Sequence, residues 1–417
     1  MMIPEWSNLP KPTSKPLRIL AVIEQFNWPI REGSTTIAYH FTKALRKLGH
    51  SVDLYTAHSG GSTPDVPVLR IPSDPTENRL EAHLCALTRR FHASPFQVVH
   101  LRNLSRQQEY DVCFGIGLGS CPYLISANAR TRFWLLGDNP LRNACLFAYL
   151  EGLRSPVAAL REFNTLGRQA LFLQRHPQPL DGVTWVTAKD QRWARLYPGT
   201  QKGMLFPNGV DFSRFGRFDP PPDGRRLAFW GNLAYYNNVH AVEWFYHNVF
   251  STLYRQDHMY RFVIAGSYPD DRICRIAENP GVHLRENPPD MDECLSDCGV
   301  AVFPFKLGTG IKNKILESAA MGKYSIVSSC IPLDFSPNPS LPFEVCQTAT
   351  DWTRSLAAVA ARPRIITERS AHLRNWVKEF HDWEKIVGNL LQAVRLKLRE
   401  KEDTDRPVRA GSPPSAA

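Results

Sequence analysis

A chain of 417 residues with 43% apolar side chains is long enough for two cores of ordinary size. Its formal net charge of +10 suits nucleic acid, anionic lipid or phosphorylated substrates alike, but no zinc finger, RNP-type aromatic motif or dense Lys/Arg block accompanies it, so nucleic acid is not expected as a partner. Nine scattered cysteines make no CxxC pair and no zinc spacing, and no run of about 18 apolar residues occurs, so reduced thiols, a cytoplasmic location and no transmembrane helix are expected.

Residues 1–16 carry four prolines and no apolar h-region, and read as an extended leader rather than a signal peptide. Leu17–Ile23 is nearly all apolar and rich in β-branched residues, as expected of a strand covered on both faces. A loop holding Gly33 leads to a helix over Thr35–Leu48, stopped by Gly49, and Ser51–Thr56 is the next strand. Further strands are predicted at Gln97–Leu101, Asp111–Phe114, Arg132–Leu136 and Val183–Thr187. Between the last two, Ser155-Pro156 opens a long helix with an N-cap and a proline at N1. Arg161, Arg168 and Arg175 make a basic stripe along that helix, with Arg154 seven residues before them. The stripe suits anionic lipid or a phosphorylated acceptor, but reads first as a solvated face with local ion pairs.

A second βα array starts near Gly203. Its strands are predicted at Leu227–Trp230, Arg261–Ala265 (ended by Gly266), Val300–Phe303 and Ser325–Ser328, with helices over Val239–Leu253 and after Gly310. Alternating strands and helices imply α/β architecture with parallel sheets. Two such arrays imply two doubly wound, Rossmann-like domains facing each other across a cleft, where ligands of such sheets bind. The divisions read from the sequence are 1–16, 17–202 (acceptor side), 203–375 (donor side), a helical segment at 376–401 packing back toward the first domain, and a disordered polar tail at 402–417.

The segment from Val302 to Glu317 carries the chemistry. A buried strand runs into the glycine-rich turn Gly308-Thr309-Gly310, and the turn opens a helix whose unpaired N–H groups suit a diphosphate. Gly310, Lys314 and Glu317 stand at i, i+4 and i+7 and share a face. The cation suits a phosphate, and the carboxylate a ribose diol. A surface Lys–Glu pair behind a flexible loop has the same spacing, so spacing alone decides between the two only evenly.

The string GTGIKNKILESAAMG resembles the donor-site segment of glycosyltransferase family 4, in the branch of exopolysaccharide sugar transferases. Pro207–Asp211 resembles that family's NGVD turn, Phe229–Val239 its F-x-G segment with Asn238 before Val239, and Phe380–Trp383 its closing aromatic pattern. In the first half only Gly33, the Gly49-His50 turn and the strand order agree. The resemblance implies a GT-B fold and a retaining, metal-independent transfer from a nucleotide-sugar to a saccharide or lipid-linked acceptor, with no cofactor. It gives Lys314 and Glu317 catalytic roles at the diphosphate and the ribose. Gly231, Asn232, Asn238, Gly266, Lys306, Gly308, Thr309, Gly310, Ile311 and Lys312 would bind the donor, and Gly33 would face the phosphates from the opposite domain.

Three departures stand out. Asn232 follows Gly231 where many members have arginine, and Thr309 stands where many have an acid eight positions before the ribose carboxylate. The first-domain histidine is missing after the Arg132 strand, whose end carries Asp138, either a sugar contact or a solvated loop acid. A non-catalytic nucleotide-sugar binder and an epimerase of the same shape are the alternatives, and peripheral membrane contact is left open.

Other motifs read as structural. Gly115–Gly119 lacks the third glycine of a dinucleotide fingerprint, since Ser120 occupies that position. Asp290-x-Asp292 has capping-box spacing with Glu293 rather than a metal-binding context. Cys294 and Cys298 read as core thiols.

Overall fold

The computed structural model describes residues 15–28, 30, 33–60, 63, 65–72, 93–175, 180–196, 200, 203–306, 308, 310, 312–331 and 342–405. The elements of the first half are β1 (Arg18–Asn27), α1 (Gly33–Lys47), β2 (Ser51–Gly60), β3 (Val68–Arg70), α2 (Pro95–Gln108), β4 (Tyr110–Ile116), α3 (Cys121–Ser126), β5 (Ala129–Gly137), α4 (Pro140–Glu151), α5 (Pro156–Arg175), β6 (Gly182–Trp185), α6 (Ala188–Trp193) and β7 (Gly203–Leu205). The second half begins with β8 (Arg226–Asn232), followed by helix α7 (Tyr236–Phe245, carried on through a π turn at Tyr246–Phe250 and Ser251–Gln256) and β9 (Arg261–Ser267). It continues with α8 (Asp271–Ala277), β10 (Val282–Glu286), α9 (Met291–Cys294), β11 (Val300–Phe303), α10 (Asn313–Ala320), β12 (Tyr324–Ser328) and β13 (Glu344–Cys346). Helices α11 (Ala349–Ala361), α12 (Arg364–Phe380) and α13 (Trp383–Asp405) close it.

The strands form two parallel sheets, in the orders β3-β2-β1-β4-β5-β6-β7 and β10-β9-β8-β11-β12-β13. Each order reverses beside its first strand, at β1/β4 and at β8/β11, which places a ligand crevice at the carboxyl ends of those strands. The central strands hold fully buried stretches, Ile19–Ile23 in β1 and Val300–Phe303 in β11, because helices cover both faces.

Several sequence expectations are corrected. Gln97–Leu101 is helical, within α2. Ser94-Pro95 supplies the same N-cap and N1 proline as at Ser155-Pro156, and the buried residues Gln97, Leu101 and Ser105 repeat at helical spacing. Helix α4, missed in the sequence, opens with Asn139-Pro140, and the Asn139 side chain accepts from the amides of Leu141 and Arg142. Strand β7 pairs with β6, so Gly203–Leu205 completes the first sheet and the crossing to the second falls after residue 205 instead of 202.

The segment expected at 376–401 is two helices. Trp376 and Val377 of α12 belong to the second core with Ile366 and Leu373. The break at His381-Asp382 is fixed by a bridge from Asp382 to Val210 and by the His381 carbonyl, which accepts from the Val210 amide. From there α13 crosses to the first domain. Its buried row Trp383, Ile386, Val387, Leu390, Leu391 and Val394 shares one core with Ile19, Ala21 and Phe41. The helix runs on to Asp405, three residues past the expected start of the tail, and 406–417 lie outside the described residues.

Candidate functional site

The carboxyl ends of both sheets open on one cleft of about 860 Å³. From the first domain it is lined by Gly33 and His40 of α1, by Gly117 after β4, by Asp138 after β5 and by Glu162 of α5. From the second come Gly231 and Asn232 at the end of β8, Asn238 of α7, Gly266 at the end of β9, and Lys312, Lys314 and Glu317 at the start of α10. Nine of the residues expected from the sequence are therefore on one surface, drawn from both halves of the chain.

Lys314 and Glu317, one turn apart on α10, are held by different partners. The Lys314 ammonium donates to Asn238 Oδ1 at 2.8 Å and lies 4.5 Å from the centre of the Phe229 ring. Asn238 is aligned in turn by donating to the Asn232 carbonyl at 2.6 Å. A Cβ on Gly231, whose φ is +143°, would come within 2.7 Å of the ammonium, so the glycine is what lets the cation reach the strand end. Burial, with Lys312 nearby, pulls the Lys314 pKa down to about 7, while Glu317 acts against the shift. Glu317 accepts from Trp230 Nε1 at 2.7 Å. Burial raises its pKa, opposed by the Trp230 hydrogen bond and by the charges of Arg214 and Lys314.

The glycine-rich loop departs from expectation. Gly310 has φ +59°, a left-handed value that cannot continue a right-handed helix, so α10 begins only at Asn313, with Lys312 as N-cap. Of the backbone amides expected to cradle a diphosphate, that of Gly310 faces the first domain instead, as does the Gly308 carbonyl. The Gly310 amide donates to Asp190 Oδ2 at 3.2 Å, and the Gly308 carbonyl accepts from Arg142 Nη2 at 2.6 Å. Gly308 and Gly310 are buried and absent from the cleft lining; Lys306 is exposed and absent from it too. Thr309 and Ile311 lie outside the described residues. Gly310 is also the contact point of Asp138, whose carboxylate a Cβ there would strike.

Sequence reasoning missed the pair that holds this loop. Arg142 Nη1 and Asp190 Oδ1 are 2.5 Å apart with almost no exposure. Asp190 also accepts from the Thr187 hydroxyl at 2.6 Å and from the Asn139 amide at 3.3 Å. The Asn139-Pro140 cap signal could have revealed α4 and so Arg142; nothing local announces Asp190. Beside this pair, burial raises the pKa of Asp138, with Lys312 opposing and Asp190 adding to the shift. Burial lowers the pKa of Lys312, which Asp138 and Asp190 counter.

Two further cleft residues were not foreseen. His40 stacks on Trp383 at 5.9 Å and stands 3.9 Å from Asp211; burial takes its pKa down to about 4. Arg214, just beyond the NGVD turn, is an exposed cation on the cleft wall. Asp290 caps α9, accepting from the Glu293 amide at 2.9 Å, and pairs with Arg217 at 2.5 Å.

Residues 224–335 match the family model described as Glycosyl transferases group 1, a span that covers the Gly231 turn, the glycine-rich loop and α10. Among curated proteins no sequence matches the chain. Among solved structures, the sucrose-phosphate synthase of Thermosynechococcus elongatus is similar with a TM-score of 0.68 and 14% identity, over 92% of this chain and 100% of that one. Anabaena HepE, solved with UDP and glucose, is similar with a TM-score of 0.66 and 11% identity, over 91% and 99%. S. aureus TarM, solved as a mutant with fondaparinux, α-GlcNAc-glycerol and UDP, gives 0.65 and 9% over 91% and 99%. The two facing parallel sheets are the GT-B architecture, and the family match indicates a glycosyltransferase.

Proposed function

We propose that the protein moves a sugar from a nucleoside diphosphate sugar to a saccharide or lipid-linked acceptor, with retention of configuration and without a metal ion or cofactor. The observation that carries the proposal is the pairing of Lys314 and Glu317 on the cleft face of α10, one aligned by Asn238 and the other by Trp230. In the reaction, the bond between the anomeric carbon and the diphosphate oxygen breaks. The acceptor hydroxyl oxygen bonds that carbon on the same face, and its proton passes to the departing phosphate oxygen. Lys314 and Lys312 are suited to the charge that grows on the diphosphate, which raises rate as well as affinity. Glu317 suits two ribose hydroxyls. Asp138, facing them from the first domain beside Gly310, is suited to the sugar hydroxyls.

The departures noted in the sequence bear on the cationic set. Asn232 stands in place of an arginine, and the cleft has Lys312 beside Lys314 and Arg214 on its wall as further cations. A second reading, a binder without turnover, is favoured by one observation: the Gly308 and Gly310 backbone groups are already engaged by Arg142 and Asp190. Release of nucleoside diphosphate from UDP-, ADP- and GDP-sugars in the presence of acceptors separates the two. Transfer predicts release that is lost in Lys314→Ala and Glu317→Ala. Tight binding with no release against any acceptor would replace it with the second reading.

A further inference from the structure

The region around α5 exposes large apolar side chains in a cluster. Leu153 is fully exposed, Tyr149, Val157 and Leu160 are 73%, 65% and 71% exposed, and Phe163 and Leu171 are exposed as well. On α5, Val157, Leu160 and Leu171 follow helical spacing, and Arg161 and Arg168 fall in the adjoining row, at i+4 and i+11 from Val157. Arg154 and Arg161 are exposed and form no ion pair among the described residues. Residues 149–171 contain two acids, and both are turned elsewhere. Glu151 is buried and bonded to His240 at 2.8 Å, and Glu162 lines the cleft.

We infer that this face of α5 and the turn before it seat on an anionic lipid surface. Apolar side chains flanked by cations, with no acid among them, match a bilayer interface: the leucines and the tyrosine enter the headgroup boundary while the arginines meet lipid phosphates. A second copy of this chain would bring like-charged rows face to face. The arginine row by itself reads as a solvated face; the exposed apolar row beside it is what a solvated face does not explain.

The same helix turns Glu162, Thr165, Leu166 and Gln169 into the cleft. One helix thus has a wall of the site on one side and the docking surface on another. Resting on the transfer reaction proposed above, this makes the acceptor lipid-linked: its carrier chain stays in the bilayer and its sugar-bearing head reaches the cleft past α5.

The test is cosedimentation of the full chain with phosphatidylcholine vesicles, with and without phosphatidylglycerol, over a salt series. A thermal-shift titration with UDP, ADP and GDP runs in parallel. Binding to phosphatidylglycerol vesicles that weakens with salt is expected. The double variants Leu153→Ser/Leu160→Ser and Arg154→Gln/Arg161→Gln should each lower partitioning about tenfold or more. Their nucleotide-induced shifts should equal those of the unaltered chain, since all four side chains are exposed and outside the cleft lining. Absence of vesicle binding, or double variants that bind as well as the unaltered chain, overturns the docking surface. So does a monomer–dimer equilibrium that the leucine variant abolishes, which would assign the face to a second copy. A failed nucleotide titration with intact vesicle binding would instead refute the donor site and leave the surface standing.

Discussion

Donor binding should be coupled to proton uptake at Lys314. In the free protein burial and Lys312 bring this ammonium to a pKa of about 7, so it is half charged near neutrality and mostly neutral above it. A diphosphate beside it favours the charged form and draws the pKa back up. The contribution of Lys314 to nucleoside diphosphate affinity is therefore lost as pH rises through the free-protein pKa of about 7 toward the bound one. Each pH unit in that window weakens binding by up to about tenfold, or about 1.4 kcal/mol. Above about pH 7.5 the ligand's terminal phosphate, whose last pKa is about 6 to 7, is fully ionised, so its own charge does not contribute to the slope. The assay is calorimetric titration, between about pH 7 and 9, of whichever of UDP, ADP or GDP shifts the melting temperature most. Running it in two buffers of different ionisation enthalpy counts the protons, and uptake should approach one per ligand at the alkaline end. Lys314→Arg keeps a cation that does not titrate and should flatten the profile. A flat profile in the unaltered chain, or no proton uptake at about pH 8.5, would refute the reasoning.

Gly310→Ala introduces a Cβ at φ +59° that strikes the Asp138 carboxylate. It should cut turnover at least tenfold while leaving the rest of the second domain folded, as read by kinetics and circular dichroism; unchanged kinetics would mean the loop does not need this geometry. Arg142→Ala leaves the Asp190 carboxylate buried without its cation and should cost about 3 kcal/mol or more in urea unfolding. Adding Asp190→Asn should recover part of that loss, and a single-variant loss under about 1 kcal/mol would contradict the clamp. His40 and His381 are both held neutral by burial, with pKa values of about 4. Because these lie below the unfolded value, the stability they support is full above about pH 6.5 and is lost as pH falls toward 4, by about 3 kcal/mol for each. Denaturant titrations at about pH 7 and pH 5 should show this slope, and His381→Gln should reduce it; an equal slope in the variant counts against the assignment.

The readings that survived depend on near neighbours. The apolar runs of β1, β8, β9 and β11, the N-cap with proline before α5, and the one-turn spacing of Lys314 and Glu317 are fixed by residues a few positions apart. Where a short apolar stretch was read without its flanks, the choice went wrong: Gln97–Leu101 was expected as a strand, yet Ser94-Pro95 and the burial of Gln97, Leu101 and Ser105 mark a helix. The start of α10 was misread because Gly310 takes a left-handed φ of +59° against Asp138 and Asp190, distant contacts that the glycine-rich string does not announce.

By itself the sequence determined the alternation of parallel strands and helices, and the cation and carboxylate on one face of α10. The tertiary structure alone decided that Arg142 would grip the carbonyl of Gly308, 166 positions away, that Asp190 would bind the amide of Gly310, 120 away, and that α13 would return to the first core. It also set the pKa of Lys314, since desolvation depends on which side chains close around an ammonium. Spacing along a helix acts over a turn or two, whereas burial and charge act between whatever segments the fold brings together.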